Sequence, residues 1–182
     1  MKRFISTLLL AVACLLLHAA TADSLLADGV SRALADMRKA AYHDVRYDLR
    51  FVLTADPQAD IAAEETVRLR LDAPTDIVLD WRERPTLIES ISIGGRPAAW
   101  HYTHEHIVID KAGVQTGENA VTLRFTAGNQ SLNRREGYLY TLFVPDRART
   151  VFPCFDQPNL KASFRLTLDM PAAWQAVSNT YA

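Results

Sequence analysis

The densest group of titratable side chains lies between residues 101 and 106, where three histidines and a glutamate occur together. His104 and Glu105 begin the pattern His-Glu-x-x-His, in which a helix presents two imidazoles to one zinc ion and the glutamate acts as general base. Val108 stands at the position of the second histidine, so this segment cannot complete such a site. In a strand, His104 and His106 would share one face, either as a weak metal site or, as we favour, as solvated histidines at a strand edge. We therefore assign no metal ligand in this chain.

The run of residues 148–164 combines a thiol with a backbone that cannot form regular structure. Pro153 and Pro158 bracket Cys154 and Asp156. Each proline fixes φ and removes a backbone donor, so the run cannot be a central strand, and it is too irregular for a helix. A reactive thiolate needs a nearby base, and no histidine lies within 40 residues of Cys154. We therefore predict a bend held by tertiary packing, with Cys154 as a small buried thiol.

Other side chains in this run could hold the bend through charge and apolar area. Asp156 could cap the turn through backbone N–H groups, or could pair with Arg149 or Lys161. We expect Arg149 to hold the bend through a bidentate contact, which a lysine could not reproduce. Buried phenyl rings would add to this stability. The aromatic residues that we expect to supply apolar area are Phe152, Phe155 and Phe164.

The elements that must position this bend follow from the apolar pattern. Apolar residues at three- and four-residue steps predict a helix over residues 29–41, with Arg38 among the charged residues on its polar side. From Tyr42 onward the period changes to two, which is typical of half-buried strands. The predicted strands cover residues 45–53, 66–71, 77–81, 87–93, 97–102, 106–109, 120–125, 137–144 and 163–170. We therefore predict an all-β fold, an antiparallel β-sandwich or related pair of saddle-like sheets, preceded by one short helix.

The N-terminus has the three parts of a secretory signal. Lys2 and Arg3 form a basic region, residues 4–17 form an apolar region, and residues 20–22 are the small-x-small sequence Ala-Thr-Ala. We predict cleavage before Asp23, which would give an exported protein, periplasmic or extracellular, without a membrane span. Removal of the signal deletes two basic residues and no acidic one, so the net charge changes from −1 to −3. A net charge this close to zero gives no indication of a nucleic-acid partner.

Cleavage also decides the cysteine chemistry and the domain boundaries. After cleavage before Asp23, Cys154 would be the remaining cysteine, which excludes an intrachain disulfide. The alternative to this cleavage is a lipoprotein signal that anchors the protein through Cys14. We divide the chain into a signal peptide (1–22), a lead-in helix (23–41) and a β domain (42–182).

Residues 148–164 resemble the signature Ala-Arg-x-x-Phe-Pro-Cys-Phe-Asp-x-Pro-x-x-Lys-Ala-x-Phe of the aminopeptidase N family of zinc metallopeptidases, which are gluzincins. The signature belongs to their N-terminal β domain, and the resemblance extends more weakly to residues 132–141 and 177–179. The matching positions to which we assign a structural role are Arg149, Phe152, Pro153, Cys154, Phe155, Asp156, Pro158 and Lys161.

The resemblance also implies a loop that enters the substrate cleft. Family members carry Thr-Gln-Phe-Glu-Pro just before the signature, and the glutamate there pairs with the free α-amino group of the substrate. This chain has Leu142 at the glutamine position and Val144 at the glutamate position. Either part of the amine recognition is lost, or the loop lines an apolar first subsite, or both are ordinary apolar residues of core or loop.

The function that the resemblance implies is that of a non-catalytic N-terminal domain lining the cleft of a secreted zinc aminopeptidase. Its partners would be a catalytic domain of the same polypeptide, with Zn²⁺, and a peptide substrate. The His-Glu-x-x-His and Gly-x-Met-Glu-Asn motifs are absent, so we assign no catalytic residue and expect this chain alone to be inactive. We also expect the β domain to be incomplete at its C-terminus, with an unpaired strand edge. The alternatives are a stand-alone exported β-sandwich that binds a partner, and the remnant of a degraded enzyme.

Overall fold

The computed structural model describes residues 25–179, which form one helix and two main sheets. The predicted signal peptide, its cleavage site and Cys14 lie outside the described residues. The helix α1 spans Arg32–Ala41. The strands are β1 (Tyr42–Val52), β2 (Ala62–Leu71), β3 (Ile77–Asp80), β4 (Ile88–Ile93), β5 (Arg96–Pro97), β6 (Trp100–Thr103), β7 (His106–Ile109), β8 (Gly117–Thr126), β9 (Leu132–Arg135), β10 (Tyr138–Thr141) and β11 (Ser163–Asp169). Within residues 25–179, no helix is long and apolar enough to cross a membrane.

The larger sheet has six strands in the order β11-β1-β2-β8-β4-β5. The prediction of an all-β fold is confirmed, and most neighbours in this sheet are antiparallel. The exception is β11, which pairs with β1 in parallel, with Phe164 opposite Tyr47. This pair departs from the antiparallel arrangement because β11 reaches the edge of the sheet through the irregular run before it rather than through a hairpin.

The predicted strand over residues 97–102 is divided between the two sheets. Gly94 and Gly95, with φ of 56° and 79°, form the predicted tight turn after β4. The returning strand β5 ends at Pro97, which has no N–H to continue the ladder. The chain then crosses to the smaller sheet, which has the order β3-β7-β6.

The main hydrophobic core lies between the two sheets. The smaller sheet contributes Ile77 and Leu79 to this core, and its opposite face presents Val78 and Val108 to Leu34 of α1. Every residue of β3 and β7 is therefore buried. This two-sided burial explains why residues 77–79 form a continuous apolar run rather than an alternating one.

The helix begins three residues later than predicted. Gly29 has a φ of 80°, and Ser31 is extended, so neither residue is helical. The Ser31 Oγ caps the helix by accepting a hydrogen bond from the Leu34 N–H at 3.0 Å. Arg38, predicted to lie on the polar side, is fully buried. That prediction was wrong because its charge is neutralised by a residue far away in sequence.

The strands β9 and β10 form a hairpin outside the two main sheets. The predicted strand over residues 137–144 is ordered as a strand only over Tyr138–Thr141. Arg134 fastens the hairpin to the loop after β1, donating to the carbonyls of Ala59 and Asp56 at 2.7 Å each. The other exposed element is β11, where Phe164 is 56% exposed although its ring stacks on Tyr47. The expectation that Phe164 is buried was wrong, because β11 is an edge strand.

Candidate functional site

The signature bend, residues 148–162, is built onto the end of β3 by backbone hydrogen bonds. Asp80 and Cys154 form an isolated antiparallel bridge, in which the Asp80 N–H donates to the Cys154 carbonyl at 2.7 Å and the Cys154 N–H donates back at 3.1 Å. The Phe155 N–H donates to the Tyr47 hydroxyl at 2.9 Å. The two prolines prevent a regular ladder in this run. The backbone N–H groups of the neighbouring residues therefore bond to partners in the core.

Aromatic rings fill the space between the bend and the larger sheet. The Phe152 ring packs edge-on against Phe51 and Phe143, with centroids 6.4 and 5.8 Å away. The Phe155 ring lies 5.1 Å from that of Tyr42 and 6.3 Å from that of Tyr47. Both phenylalanines are buried, as predicted, and each contributes roughly 1.5–3 kcal/mol through its apolar area.

Asp156 and Arg149 stabilise the bend in different ways. The Asp156 Oδ2 accepts a hydrogen bond from the backbone N–H of Arg149 at 3.2 Å, which is the predicted capping role. The Arg149 guanidinium is buried and meets two carboxylates, Asp146 at 2.8 Å and Glu105 at 3.7 Å, rather than one carboxylate in bidentate fashion. Lys161 is exposed, and the structure of residues 25–179 contains no ion pair between it and Asp156. Burial raises the pKa of Asp156, against the hydrogen bond from Arg149.

A buried ion-pair cluster, formed by Arg38, Asp80, His106 and Gln157, lies beneath the bend. The Arg38 guanidinium donates to both carboxylate oxygens of Asp80, at 2.6 and 2.9 Å, in a bidentate pair. Its Nη1 also donates to the Gln157 Oε1 at 3.3 Å. The same carboxylate accepts the backbone N–H of Asp156 at 2.8 Å. Asp80 therefore joins the lead-in helix, β3 and the signature bend at one point.

The electrostatics of Asp80 follow from these partners. Burial by itself raises the pKa of a carboxyl group. The Arg38 charge and the hydrogen bonds from His106, Arg38 and Asp156 outweigh this desolvation and lower the pKa of Asp80. Asp80 is therefore a fully buried carboxylate that remains charged, which fits a scaffold role.

His106 and His104 do not lie where the sequence predicted. His106 is fully buried, with Nδ1 2.9 Å from the Asp80 Oδ1 and Nε2 3.0 Å from the Ala27 carbonyl. His104 and Glu105 have positive φ and form the turn between β6 and β7, so His104 shares no strand face with His106. His104 is exposed and lies 3.1 Å from Asp28. The prediction of two solvated histidines at a strand edge was therefore wrong for His106.

The described residues do not fit a zinc site. In residues 25–179, no group of three histidine, cysteine or acidic side chains could hold a metal ion. Cys154 is buried, as predicted, and burial raises its pKa well above the usual range, so the thiol stays protonated and unreactive.

The loop that precedes the bend, residues 141–147, is far more exposed to solvent than the bend itself. Leu142 and Val144 are 58% and 73% exposed, and they continue a stripe of exposed apolar side chains that begins with Tyr138 and Tyr140 on β10. Between them, Phe143 turns inward onto Phe152. The loop therefore rests on the bend through one aromatic residue and presents two aliphatic side chains outward.

Three members of the buried cluster are absent from the site residues predicted from the sequence. Asp80 ends the apolar run of β3, and a charged residue at that point is itself a signal for a buried partner. Arg38 lies four residues after Leu34, on the same side of the helix as this buried leucine. Gln157 gave no comparable signal, because its hydrogen bonds with Arg38 and with Ala35 of α1 join residues more than 100 positions apart.

Comparison with known proteins identifies the family. Residues 43–182 match the Peptidase M1 N-terminal domain. The chain is 41% identical over 75 residues to aminopeptidase N of Streptomyces lividans, covering 41% of this chain and 8% of that protein. It is 32% identical over 156 residues to aminopeptidase M1-D of Oryza sativa subsp. japonica, covering 74% of this chain and 17% of that protein. The chain thus spans less than a fifth of the length of either relative.

Solved structures share the fold. The M1 zinc metallopeptidase from Deinococcus radiodurans superimposes with a TM-score of 0.58 at 20% identity, covering 73% of this chain and 33% of that one. Leukotriene A4 hydrolase from Saccharomyces cerevisiae gives a TM-score of 0.59 at 17% identity, covering 72% of this chain and 24% of that one. The predicted family is confirmed by the match over residues 43–182: the chain belongs to the peptidase M1 family and carries its N-terminal domain.

Proposed function

We propose that this chain forms one wall of the substrate cleft in an exported, aminopeptidase-like zinc peptidase. The catalytic domain and its Zn²⁺ would belong to a further part of the same polypeptide. The observation that carries the proposal is the contrast between the rigid bend and the loop over residues 141–147, which rests on the bend and exposes Leu142 and Val144. Such a loop can present side chains to a substrate without disturbing the core.

The chemistry of this wall would be apolar. Leu142 and Val144 cannot pair with the α-ammonium group of a peptide, and Asp146, the nearest acid along the loop, is held by Arg149 at 2.8 Å. The wall would exclude water from one side of the cleft and contact the first side chain of the substrate. This chain contributes no group to bond cleavage.

The test is to change the loop in the longest natural polypeptide that contains this chain together with its peptidase domain. Val144→Glu should strengthen binding of aminoacyl arylamides that carry a free amino group, lowering KM by about tenfold, because a charge-assisted hydrogen bond is gained. Substrates with an acetylated N-terminus should not gain. The matched control is Val52→Glu, which changes another exposed valine, at the end of β1.

Equal effects of the two glutamate substitutions would refute the placement of the loop in the cleft. The chain by itself should bind no stoichiometric zinc and hydrolyse no arylamide. Activity in the isolated chain would place the catalytic groups within it and would overturn the proposed division of labour.

Export is the second part of the proposal, based on the signal pattern of residues 1–22. N-terminal sequencing of protein recovered from its natural host should begin at Asp23. A lipid-modified Cys14 at the N-terminus would instead favour membrane anchoring, and an intact N-terminus on the natural protein would refute export by cleavage.

A further inference from the structure

One acidic side chain lies inside the larger sheet without a partner. Glu65 is in the middle of β2, opposite Leu49 of β1 and Leu123 of β8. Its side chain is 0% exposed, and neither carboxyl oxygen has a hydrogen-bond partner in the part of the chain that the structure describes. The ion pairs and the function described above make no use of this group.

The strand pattern holds Glu65 in the core. Val67 and Leu69 follow it at alternate positions and are buried on the same face. Its neighbour Glu64 points outward and pairs with Arg124 at 2.8 Å. A one-residue shift of β2 would expose Glu65 but would also expose every buried apolar residue of the strand. The carboxyl group therefore stays buried while the domain is folded.

An ionised carboxylate in this position would have no compensating charge. Tyr47 lies diagonally across from Glu65 on the buried face, since Tyr47 pairs with Val67 and Leu49 pairs with Glu65, and its hydroxyl accepts a hydrogen bond from the Phe155 N–H. The buried charge of Arg38 is taken up by Asp80. Burial of a carboxylate without a partner is strongly unfavourable, so the neutral acid is the form that the core accepts.

We propose that Glu65 is a protonated, uncharged residue in the folded domain and that it makes the attachment of the signature bend to the sheet sensitive to pH. Tyr47 connects the two, since it is the diagonal neighbour of Glu65 across β1 and β2 and its hydroxyl accepts the Phe155 N–H of the bend. Ionisation of Glu65 leaves an uncompensated charge beside this contact, which favours opening of the core where the bend joins the sheet.

The direction of the pH dependence follows from the direction in which the pKa of Glu65 is shifted. Burial raises the pKa of Glu65 well above its usual range. Between the ordinary pKa and the folded one, the unfolded chain binds fewer protons than the folded chain, so stability falls as pH rises. In that interval this one group lowers the folding equilibrium constant by about tenfold per pH unit. At acidic pH, where Glu65 is protonated in both states, the effect vanishes.

The experiment measures the melting midpoint of the 182-residue protein from acidic to mildly alkaline pH, with Glu65→Gln and Glu64→Gln compared with wild type. Glu65→Gln should remove the decline attributed to Glu65, so its midpoint should rise above wild type progressively as the pH increases. Glu64→Gln is the matched control, because it removes the neighbouring carboxyl on the outward face, and its profile should stay parallel to wild type. Alkylation of Cys154, resolved from Cys14 by peptide mapping, should accelerate less with pH in Glu65→Gln than in wild type.

Two results would overturn the proposal. One is a Glu65→Gln profile, in melting or in Cys154 alkylation, that runs parallel to wild type. The other needs no variant: wild-type protein in D₂O near neutral pH should show the infrared carbonyl band of a protonated carboxylic acid, and its absence would mean that Glu65 is ionised. Absence of this band would decide against the proposal even if Glu65→Gln does not fold.

Discussion

The signature bend and the loop before it are consecutive in sequence but opposite in their surroundings. The bend has its backbone tied to β3, its aromatic rings in the core and a buried ion pair beneath it. The loop over residues 141–147 touches the core through Phe143 and otherwise exposes aliphatic side chains. The recognisable part of this domain is thus held by packing and by buried charges. The adjacent loop exposes its side chains, so we expect changes in its chemistry to cost little stability.

The largest effect on the bend is expected from removal of Asp80. Asp80→Ala leaves Arg38 as a buried, unpaired charge, and we expect a loss of about 3–5 kcal/mol in the free energy of unfolding. Chemical denaturation measures this loss. Asp169→Ala is the control, because its pair with Arg50 is exposed and should contribute less than about 1 kcal/mol.

The pH dependence of the same pair gives a second check. The pKa of Asp80 is lowered in the folded domain, so the contribution of the pair is present above the ordinary carboxyl pKa. It is lost as pH falls through the lowered, folded value. If Asp80→Ala were as mild as Asp169→Ala, or kept the acid sensitivity of wild type, the buried cluster would not be the anchor of the bend.

A smaller effect is expected at Gly128, where the chain passes directly beside the bend. A methyl group at this position would overlap the backbone carbonyl oxygen of Thr150, which cannot move without shifting the bend. Gly128→Ala should therefore cost about 1–3 kcal/mol, measured from the same denaturation curves. Gly113→Ala serves as the control, since its added methyl group would make an ordinary contact with Ile93. Equal midpoints for the two alanine variants would show that the bend yields more easily than its contacts indicate.

The smallest effect is expected in the loop. Replacing Leu142 and Val144 together by serine removes exposed apolar groups and should change the free energy of unfolding by no more than about 0.5 kcal/mol. Thermal melting of the double variant beside wild type checks this. A loss comparable to that of Gly128→Ala would mean that the loop is part of the scaffold, and the contrast between the two regions would fail.

Much of the fold could be predicted because apolar periodicity reports directly on burial. The alternation in β1 and β2, the glycine turn after β4 and the continuous apolar run of β3 all appear in the structure where the sequence indicated them. Where strand boundaries moved, as at Pro97, the pattern was ambiguous between one strand and two. The loop residues of the proposed cleft could be located only through resemblance, since nothing in their own pattern indicates a site.

What the sequence alone determined is the family, through the resemblance of residues 148–164 to its signature, and the β character of the domain, through alternation. The tertiary structure alone decided which polar side chains lie inside. Arg38 and Asp80 are 42 positions apart, and Glu65, although in phase with the buried Val67 and Leu69, has no hydrogen-bond partner for its carboxyl oxygens among the described residues. Whether a buried polar side chain finds a partner depends on residues that are distant in sequence, and a local sequence pattern carries no information about them.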